Sequence, residues 1–216
     1  RFVLPYTPGV YLFIDSKKNI LYIGKASSLR DRVRCYFAND LMHTRGKHIV
    51  DMITSATNVR HITTDSVLEA LVLEASLIKR HQPYFNTKEK DNRSWNYVVI
   101  TKEEFPRVFT IRERTMLVNS ADNSEKYSNV FGPFTSGTNL NEALKIVRRI
   151  FPFRDTCTPM QGKPCFNRQI GLCPGVCTGE ISKILYRRRI KEIILFFEGK
   201  KKILLTHLNR QMHVCA

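Results

Sequence analysis

Four side chains in the first half of the chain have the types that phosphodiester chemistry requires: Tyr11, Tyr22, Arg32 and Glu74. Hydrolysis of a phosphodiester needs an activated water, neutralisation of the charge that develops on the phosphate, and help for the leaving oxygen. A tyrosine can relay a proton once nearby cations and a metal lower its pKa from about 10. An arginine can bind phosphate through a two-point contact, and one carboxylate can hold Mg²⁺ or Mn²⁺ with water positions left open.

Each of these residues also has an ordinary structural interpretation. A single tyrosine on a strand is more often a cross-strand packing residue than a catalyst. Glu74 by itself would equally suit a buried ion pair with Arg32. The combination in this order, within residues 8–86, is far more specific than any of its members.

A second candidate site is a group of four cysteines, Cys157, Cys165, Cys173 and Cys177, separated by seven, seven and three residues. Structural zinc sites usually present close cysteine pairs, and only the last pair comes near that spacing. Widely spaced ligands are compatible with a 4Fe–4S cluster. Spacing alone favours zinc and iron–sulfur equally, with unliganded thiols as a minor third interpretation. Because the chain shows no secretion signal, disulfides are the weaker interpretation.

Tyr11, Tyr22 and Arg32 lie within residues 8–37, where the apolar pattern predicts two short strands and a helix. A polar turn over 15–19 joins the strands. Ser27 or Ser28 is a suitable cap for the helix, which is expected to carry Phe37 at apolar spacing.

Glu74 lies in a second predicted helix, which begins after Asp65 or Ser66 and ends at Pro83. Glu74 shares the face of the apolar residues Leu71 and Ile78. Burial of an ionised carboxylate without a partner is energetically unfavourable. The helix therefore places Glu74 where its negative charge requires a partner.

The remaining segments predict an α+β protein. Helices are expected over 45–56, 139–151 and 181–197, strands over 58–63, 95–100, 107–112 and 127–131, and polar loops over 84–94 and 120–128. No internal repeat or low-complexity tract is present.

The charge of the chain favours nucleic acid as its partner. Lys and Arg number 35 against 19 Asp and Glu, a formal net charge of +16. Such an excess indicates a polyanion, of which nucleic acid is the commonest. The sequence has no run of about 18 apolar residues that could span a membrane and no signal peptide, so we expect a cytoplasmic protein. The chain starts at Arg1 and not at Met, so we expect that residues upstream are missing from it.

Residues 9–11 (GVY) and 22–24 (YIG) resemble the paired motifs of the GIY-YIG nuclease family. The surrounding PGVYLF, YIGKA and LRDRV are similar to its UvrC branch, and ALVLEASLIKRHQPYFN resembles the metal-binding helix of that branch. The resemblance implies a central antiparallel sheet with flanking helices. It also implies a site formed by Tyr11, Tyr22, Lys25, Arg32, Tyr36, Glu74 and Asn86.

The same resemblance suggests individual roles. Glu74 would be the single protein ligand of Mg²⁺ or Mn²⁺. Tyr22 is the preferred general base and Tyr11 its close rival. Lys25, Arg30 and Arg34 are expected to bind the DNA backbone.

The segments FPFRDTC, KPCFNRQIGLC and PGVCTG resemble the cysteine region of the UvrC branch. This resemblance favours a 4Fe–4S cluster held by Cys157, Cys165, Cys173 and Cys177, with zinc as the alternative. The first gap is a few residues shorter than in the family, so Cys157 is the least secure ligand. A structural or DNA-sensing role is expected for the centre.

The function implied by the resemblance is a metal-dependent endonuclease that cuts damaged double-stranded DNA 3′ to a lesion. Its implied partners are UvrB and, through UvrB, UvrA. Neither a membrane nor a small-molecule substrate is expected. The alternatives are a non-catalytic DNA-binding scaffold of the same fold and a stand-alone, structure-selective nuclease of this family. The family continues beyond this sequence, so we expect a fragment of a larger protein or a short homologue. The predicted regions are a nuclease domain (1–90), a β-rich linking region with a helix (91–151), a four-cysteine module (152–180) and a helical segment leading towards a UvrB-binding region (181–216).

Overall fold

The structure is a computed structural model, and it describes residues 3–37, 46–88, 95–118 and 123–215. The chain folds into two compact units. The first unit comprises Arg1–Ser94 and Pro133–Thr135, and the second comprises Trp95–Gly132 and Ser136–Ala216. Each contains a sheet and helices, so the predicted α+β class is confirmed.

The strands lie close to their predicted positions. They are β1 (Gly9–Ile14), β2 (Ile20–Ala26), β3 (Asn58–Thr63), β4 (Asn96–Thr101), β5 (Val108–Arg112) and β6 (Tyr127–Phe134). The helices are α1 (Leu29–Arg34), α2 (Lys47–Ser55), α3 (Val67–His81), α4 (Tyr84–Lys88), α5 (Glu113–Val118), α6 (Asn123–Lys126), α7 (Gly137–Ile150), α8 (Phe166–Gln169), α9 (Lys183–Phe197) and α10 (Lys201–Cys215).

The sheet of the first unit has the order β2-β1-β3, and both pairings are antiparallel. All six residues of β1 are buried, because this middle strand is covered on both faces. The register places Tyr11 opposite Gly24 and Phe13 opposite Tyr22. The two motifs are therefore paired across one strand boundary.

Helix α3 packs against β1 and β2. Of the two predicted caps, the structure uses Ser66, whose hydroxyl accepts a hydrogen bond from the Glu69 amide at 3.2 Å. The Glu69 carboxylate in turn accepts one from the amide of Asp65, the residue before the cap, at 2.9 Å, which makes this start of the helix a variant of the capping box. The helix ends at His81, and the next residue, Gln82, has a left-handed φ of 45° that stops the helix before the proline.

Two local predictions in the first unit were wrong. Helix α1 ends at Arg34 and a 3₁₀ turn follows over Cys35–Phe37, so Phe37 is rotated outward and 51% exposed. Residues 84–88, predicted as loop, form helix α4, while 89–94 lie outside the described residues. A helix this short has too few residues to show an apolar period.

The sheet of the second unit has the order β5-β4-β6. Helix α7 starts two residues before its predicted start because Ser136 caps it, accepting a hydrogen bond from the Asn139 amide at 3.3 Å. The loop predicted over 120–128 contains helix α6 and the start of β6, and residues 119–122 lie outside the described part of the chain. Over the residues that the structure describes, no helix has the length and apolar character needed to cross a bilayer.

Candidate active site

Tyr11 is the buried centre of the candidate site, with 1% of its surface exposed. Its hydroxyl lies 2.9 Å from the Tyr36 hydroxyl and accepts a hydrogen bond from Arg32 Nε at 3.4 Å. The Arg32 guanidinium also lies 5.6 Å from the centre of the Tyr36 ring. The structure thus brings three of the predicted site residues into one hydrogen-bonded cluster.

Both motif glycines are required by close approach. A Cβ atom at Gly24 would lie 2.3 Å from the Tyr11 hydroxyl oxygen, and one at Gly9 would lie 2.3 Å from the Ile62 carbonyl oxygen. The Tyr11 side chain therefore reaches Tyr36 across a strand position that has no side chain. Gly24 thus leaves room for the Tyr11 phenol, and Gly9 leaves room for the backbone of β3.

Tyr22 differs from Tyr11 in its environment. Its ring centre lies 6.2 Å from that of Tyr11 and 6.5 Å from that of Tyr36, but Tyr22 is only partly buried. Burial raises the pKa of Tyr11 well above its ordinary value, and the neighbouring Tyr36 raises it further. Tyr11 is therefore held in its protonated form, which supports the preference for Tyr22 as the base.

Glu74 is buried, with 3% of its surface exposed. Its Oε1 accepts a hydrogen bond from the Lys25 amide of β2 at 3.0 Å. Its Oε2 accepts one from the hydroxyl of Thr135 at 3.3 Å, a residue that belongs to the first unit. The predicted placement of an acid on the buried face of the helix is confirmed, whereas no sequence pattern indicated Thr135.

Burial and the neighbouring groups have opposite effects on the pKa of Glu74. Burial raises the pKa of Glu74 to about 7, although Lys25, Thr135 and Arg32 all act to lower it. The carboxylate is thus partly protonated near neutral pH, and a bound cation would favour its ionised form.

This pKa has a consequence for stability in buffer without divalent cations. The ordinary pKa of this side chain is 4.5, so between pH 4.5 and about 7 the folded state holds a proton that the unfolded state has released. The free energy of unfolding is therefore expected to fall as the pH rises through this window, by up to about 3 kcal/mol. Urea unfolding at pH 5 and pH 8 measures it. Glu74→Gln should remove this part of the slope, and equal slopes in both proteins would contradict the assignment.

Asn86 holds the second motif in place. Its Oδ1 accepts a hydrogen bond from the Ile23 amide at 2.8 Å, and its Nδ2 donates one to the Ile23 carbonyl at 2.9 Å. Asn86 is buried and acts on the backbone between Tyr22 and Gly24. These contacts fix the backbone of the second motif, while the predicted membership of Asn86 in the site stays a prediction.

The residues predicted to bind the DNA backbone lie at the margin of this cluster. Arg30 and Arg34 are exposed on α1, and Lys25 is partly buried. The Arg30 guanidinium lies 4.9 Å from the ring centre of Tyr6. Binding of these three cations to the DNA backbone stays a prediction.

The four cysteines come together in the second unit. Their Sγ atoms all lie within 4.8 Å of one another, and Cys157, the ligand predicted to be least secure, is among them. Three of the four are buried. Burial raises the pKa of the Cys157 thiol, and the neighbouring thiols Cys173 and Cys165 raise it further, so a cation would relieve their crowding as thiolates.

Two family models match the chain. The model of the UvrC-like GIY-YIG domain matches residues 7–87, and that of the UvrC/Cho excinuclease middle domain matches residues 95–196. The UvrABC system protein C of Moorella thermoacetica is 40% identical over 221 residues, which is 99% of this chain and 33% of that protein. The corresponding protein of Trichormus variabilis is 40% identical over 215 residues, with the same coverage. The chain thus spans about a third of the length of these curated relatives.

A crystal structure of the GIY-YIG N-terminal endonuclease domain of UvrC from Thermotoga maritima, bound to magnesium as its catalytic divalent cation, is 31% identical to the chain with a TM-score of 0.34. The match covers 38% of this chain and 86% of that domain. The paired motifs and the matched family models define the class, that of the GIY-YIG nuclease domains. Within this class, the chain belongs to the UvrC family.

Proposed function

We propose that this chain is a metal-dependent DNA endonuclease of nucleotide excision repair, which hydrolyses a phosphodiester bond 3′ to a lesion within the UvrABC system. One observation carries the proposal. The buried Glu74 carboxylate is hydrogen-bonded to β2, the strand that bears Tyr22, while the neighbouring strand holds Tyr11 against Arg32. An acid, a guanidinium and phenols from distant parts of the chain thus meet at the paired strands β1 and β2, where Arg32 also acts to lower the pKa of Glu74.

Glu74 suits a hydrated divalent cation. Mg²⁺ and Mn²⁺ prefer oxygen ligands, and Mg²⁺ often binds through one carboxylate while keeping several waters. When bound, the cation supplies positive charge that offsets the charge developing on the phosphate. The Lys25 amide and the Thr135 hydroxyl orient the two carboxylate oxygens.

Proton transfer and phosphate binding are assigned to protein side chains. Tyr22, partly exposed, takes the proton of the attacking water as general base. Arg32 binds a phosphate oxygen through its guanidinium. Tyr11, whose pKa is raised by burial, stays protonated. Its hydroxyl, bonded to that of Tyr36, holds the guanidinium in position.

Damaged double-stranded DNA is the proposed substrate, delivered by UvrB and, through it, by UvrA. The net charge of +16 supports binding to the phosphate backbone. Lys25, Arg30 and Arg34 are proposed to supply part of that binding. Without the partners, we expect weak DNA binding and slow cutting.

The decisive experiment is nicking of a duplex with one defined lesion, with and without purified UvrA and UvrB. Incision 3′ to the lesion that requires both partners supports the proposal. Binding without incision would favour a non-catalytic scaffold, and incision of branched, undamaged DNA without partners would favour a stand-alone nuclease.

We further propose that the four thiols hold a 4Fe–4S cluster, with zinc as the alternative. Convergence of four sulfurs within 4.8 Å supports a metal centre. Tetrahedral zinc places its thiolates about 3.8 Å apart, whereas a cubane with four irons between the thiolates needs them further apart. The sulfur separation is thus closer to the single-ion geometry, and the family resemblance favours the cluster.

Metal analysis of anaerobically purified protein distinguishes the two centres. We expect about four irons and four sulfides per chain, together with a visible absorbance band. The Cys173→Ser variant is expected to lose the iron, the sulfide and the band. Cys35→Ser is the matched control, because Cys35 is exposed and far from the four thiols in sequence. One zinc per chain without iron would replace the cluster by the single-ion site.

A further inference from the structure

The cysteine segment is held together by polar contacts outside the four thiols, and Asp155 is their centre. Asp155 lies two residues before Cys157. Its Oδ2 accepts a hydrogen bond from Arg148 Nη1 at 2.7 Å. Its two carboxylate oxygens also lie 3.1 and 3.2 Å from the donor Nδ2 of Asn167. One carboxylate therefore joins helix α7 to two parts of the cysteine segment.

Arg148 uses every side of its guanidinium fork. Besides the bond to Asp155, its Nη2 donates to the Phe153 carbonyl at 2.9 Å and its Nε donates to the Leu172 carbonyl at 3.0 Å. The guanidinium also lies 4.8 Å from the centre of the Phe153 ring. Leu172 immediately precedes Cys173. Arg148 thus ties the backbone before one cysteine to the backbone before another.

Asn167 brings in a third cysteine, because it lies two residues after Cys165. Its side chain binds Asp155, and its backbone carbonyl accepts hydrogen bonds from the amides of Leu172 at 2.7 Å and Cys173 at 2.9 Å. The segments of three cysteines therefore meet through three side chains and three backbone carbonyls, those of Phe153, Leu172 and Asn167.

The fourth cysteine, Cys177, is anchored in a different way. Its carbonyl accepts a hydrogen bond from the Gly162 amide at 3.0 Å, and its Sγ accepts one from the Cys165 amide at 3.4 Å. Both of these contacts involve backbone amides as donors, and neither involves Arg148, Asp155 or Asn167.

We propose that Arg148, Asp155 and Asn167 are positioning residues that set the spacing of three of the four thiols and thereby the affinity of the metal centre. This inference rests on the metal centre proposed above. Groups outside the ligand set that orient the ligands typically change metal affinity about 10- to 100-fold when they are altered. None of the three is proposed to bind the metal, and their effect is to hold the thiols close enough to bind it before the metal arrives.

The test is metal retention by the purified holoprotein across a graded series of EDTA concentrations. Arg148→Lys keeps the positive charge, but one ammonium group cannot reproduce a planar fork with three separate acceptors. Asn167→Ala removes the bond to Asp155 and leaves helix α7 untouched. Each is expected to lose metal at about 10- to 100-fold lower EDTA with unchanged helix content by circular dichroism. Arg149→Lys, an exposed neighbour on the same helix, is expected to retain metal like the parent.

The outcomes separate this inference from the metal centre itself. A parent protein that binds metal, with Arg148→Lys and Asn167→Ala variants that retain it equally well, would overturn the positioning role alone. A parent that binds no iron or zinc would overturn the centre and the positioning role together. If Arg148→Lys loses helix content, retention by Asn167→Ala decides the question.

Discussion

Glu74→Gln protein is expected to cut lesion-containing DNA slower by a factor on the order of 10³, the upper range for removal of one preorganised group that stabilises the transition state. Glutamine keeps the size of the side chain and an acceptor for the Lys25 amide, but it lacks the negative charge that attracts Mg²⁺. Incision rates with UvrA and UvrB, measured over a range of Mg²⁺ and Mn²⁺ concentrations, provide the measurement.

The same substitution at Glu69 is the matched control. Glu69 lies on the same helix, where its carboxylate caps the amide of Asp65, and glutamine is also accepted in a capping box. Glu69→Gln should therefore cut at the parental rate. Undiminished cutting by folded Glu74→Gln protein would refute the metal-binding role.

Arg32→Ala is expected to produce the second large loss, on the order of 10²- to 10³-fold in the incision rate. The substitution removes the guanidinium that binds the phosphate and also the hydrogen bond from Nε to the Tyr11 hydroxyl. Arg32→Lys should recover little of the rate, because an ammonium lacks the two-point contact. The measurement is the single-turnover rate at saturating enzyme, which separates chemistry from binding.

Arg30→Ala is the comparison for this prediction, since Arg30 is exposed on the same helix. Its loss should weaken DNA binding, reduce the salt dependence of binding by about one counterion, and leave the single-turnover rate nearly unchanged. A single-turnover rate of Arg32→Ala as little changed as that of Arg30→Ala would mean that Arg32 contributes to binding only.

The parts of the fold that were predicted from the sequence have strong local signals. The alternation along β1, the turn that follows it and the apolar face of α3 are visible in a few consecutive residues. Helix α4 was missed because it has only five residues and directly follows a proline. Its side chains Phe85 and Asn86 are buried by packing between distant segments.

Some features of the candidate site were likewise predictable from the sequence, and others depend on the fold. The types of Tyr11, Arg32 and Glu74 were readable from sequence, and their roles in catalysis stay predictions. The difference between the two tyrosines was not readable, because it depends on burial and on the register that sets Tyr11 opposite Gly24. Thr135 follows Glu74 by 61 residues, and no periodicity links positions so far apart.

Strand β2 is the outer strand of its sheet, so one row of its amides and carbonyls faces away from β1. At Ile23 this row is bound by the side-chain amide of Asn86, and at Lys25 by the carboxylate of Glu74. Unpaired amides and carbonyls on an edge strand can bind a strand of another molecule, which promotes aggregation. Asn86 and Glu74 thus also occupy backbone groups through which a foreign strand would have to pair at this edge.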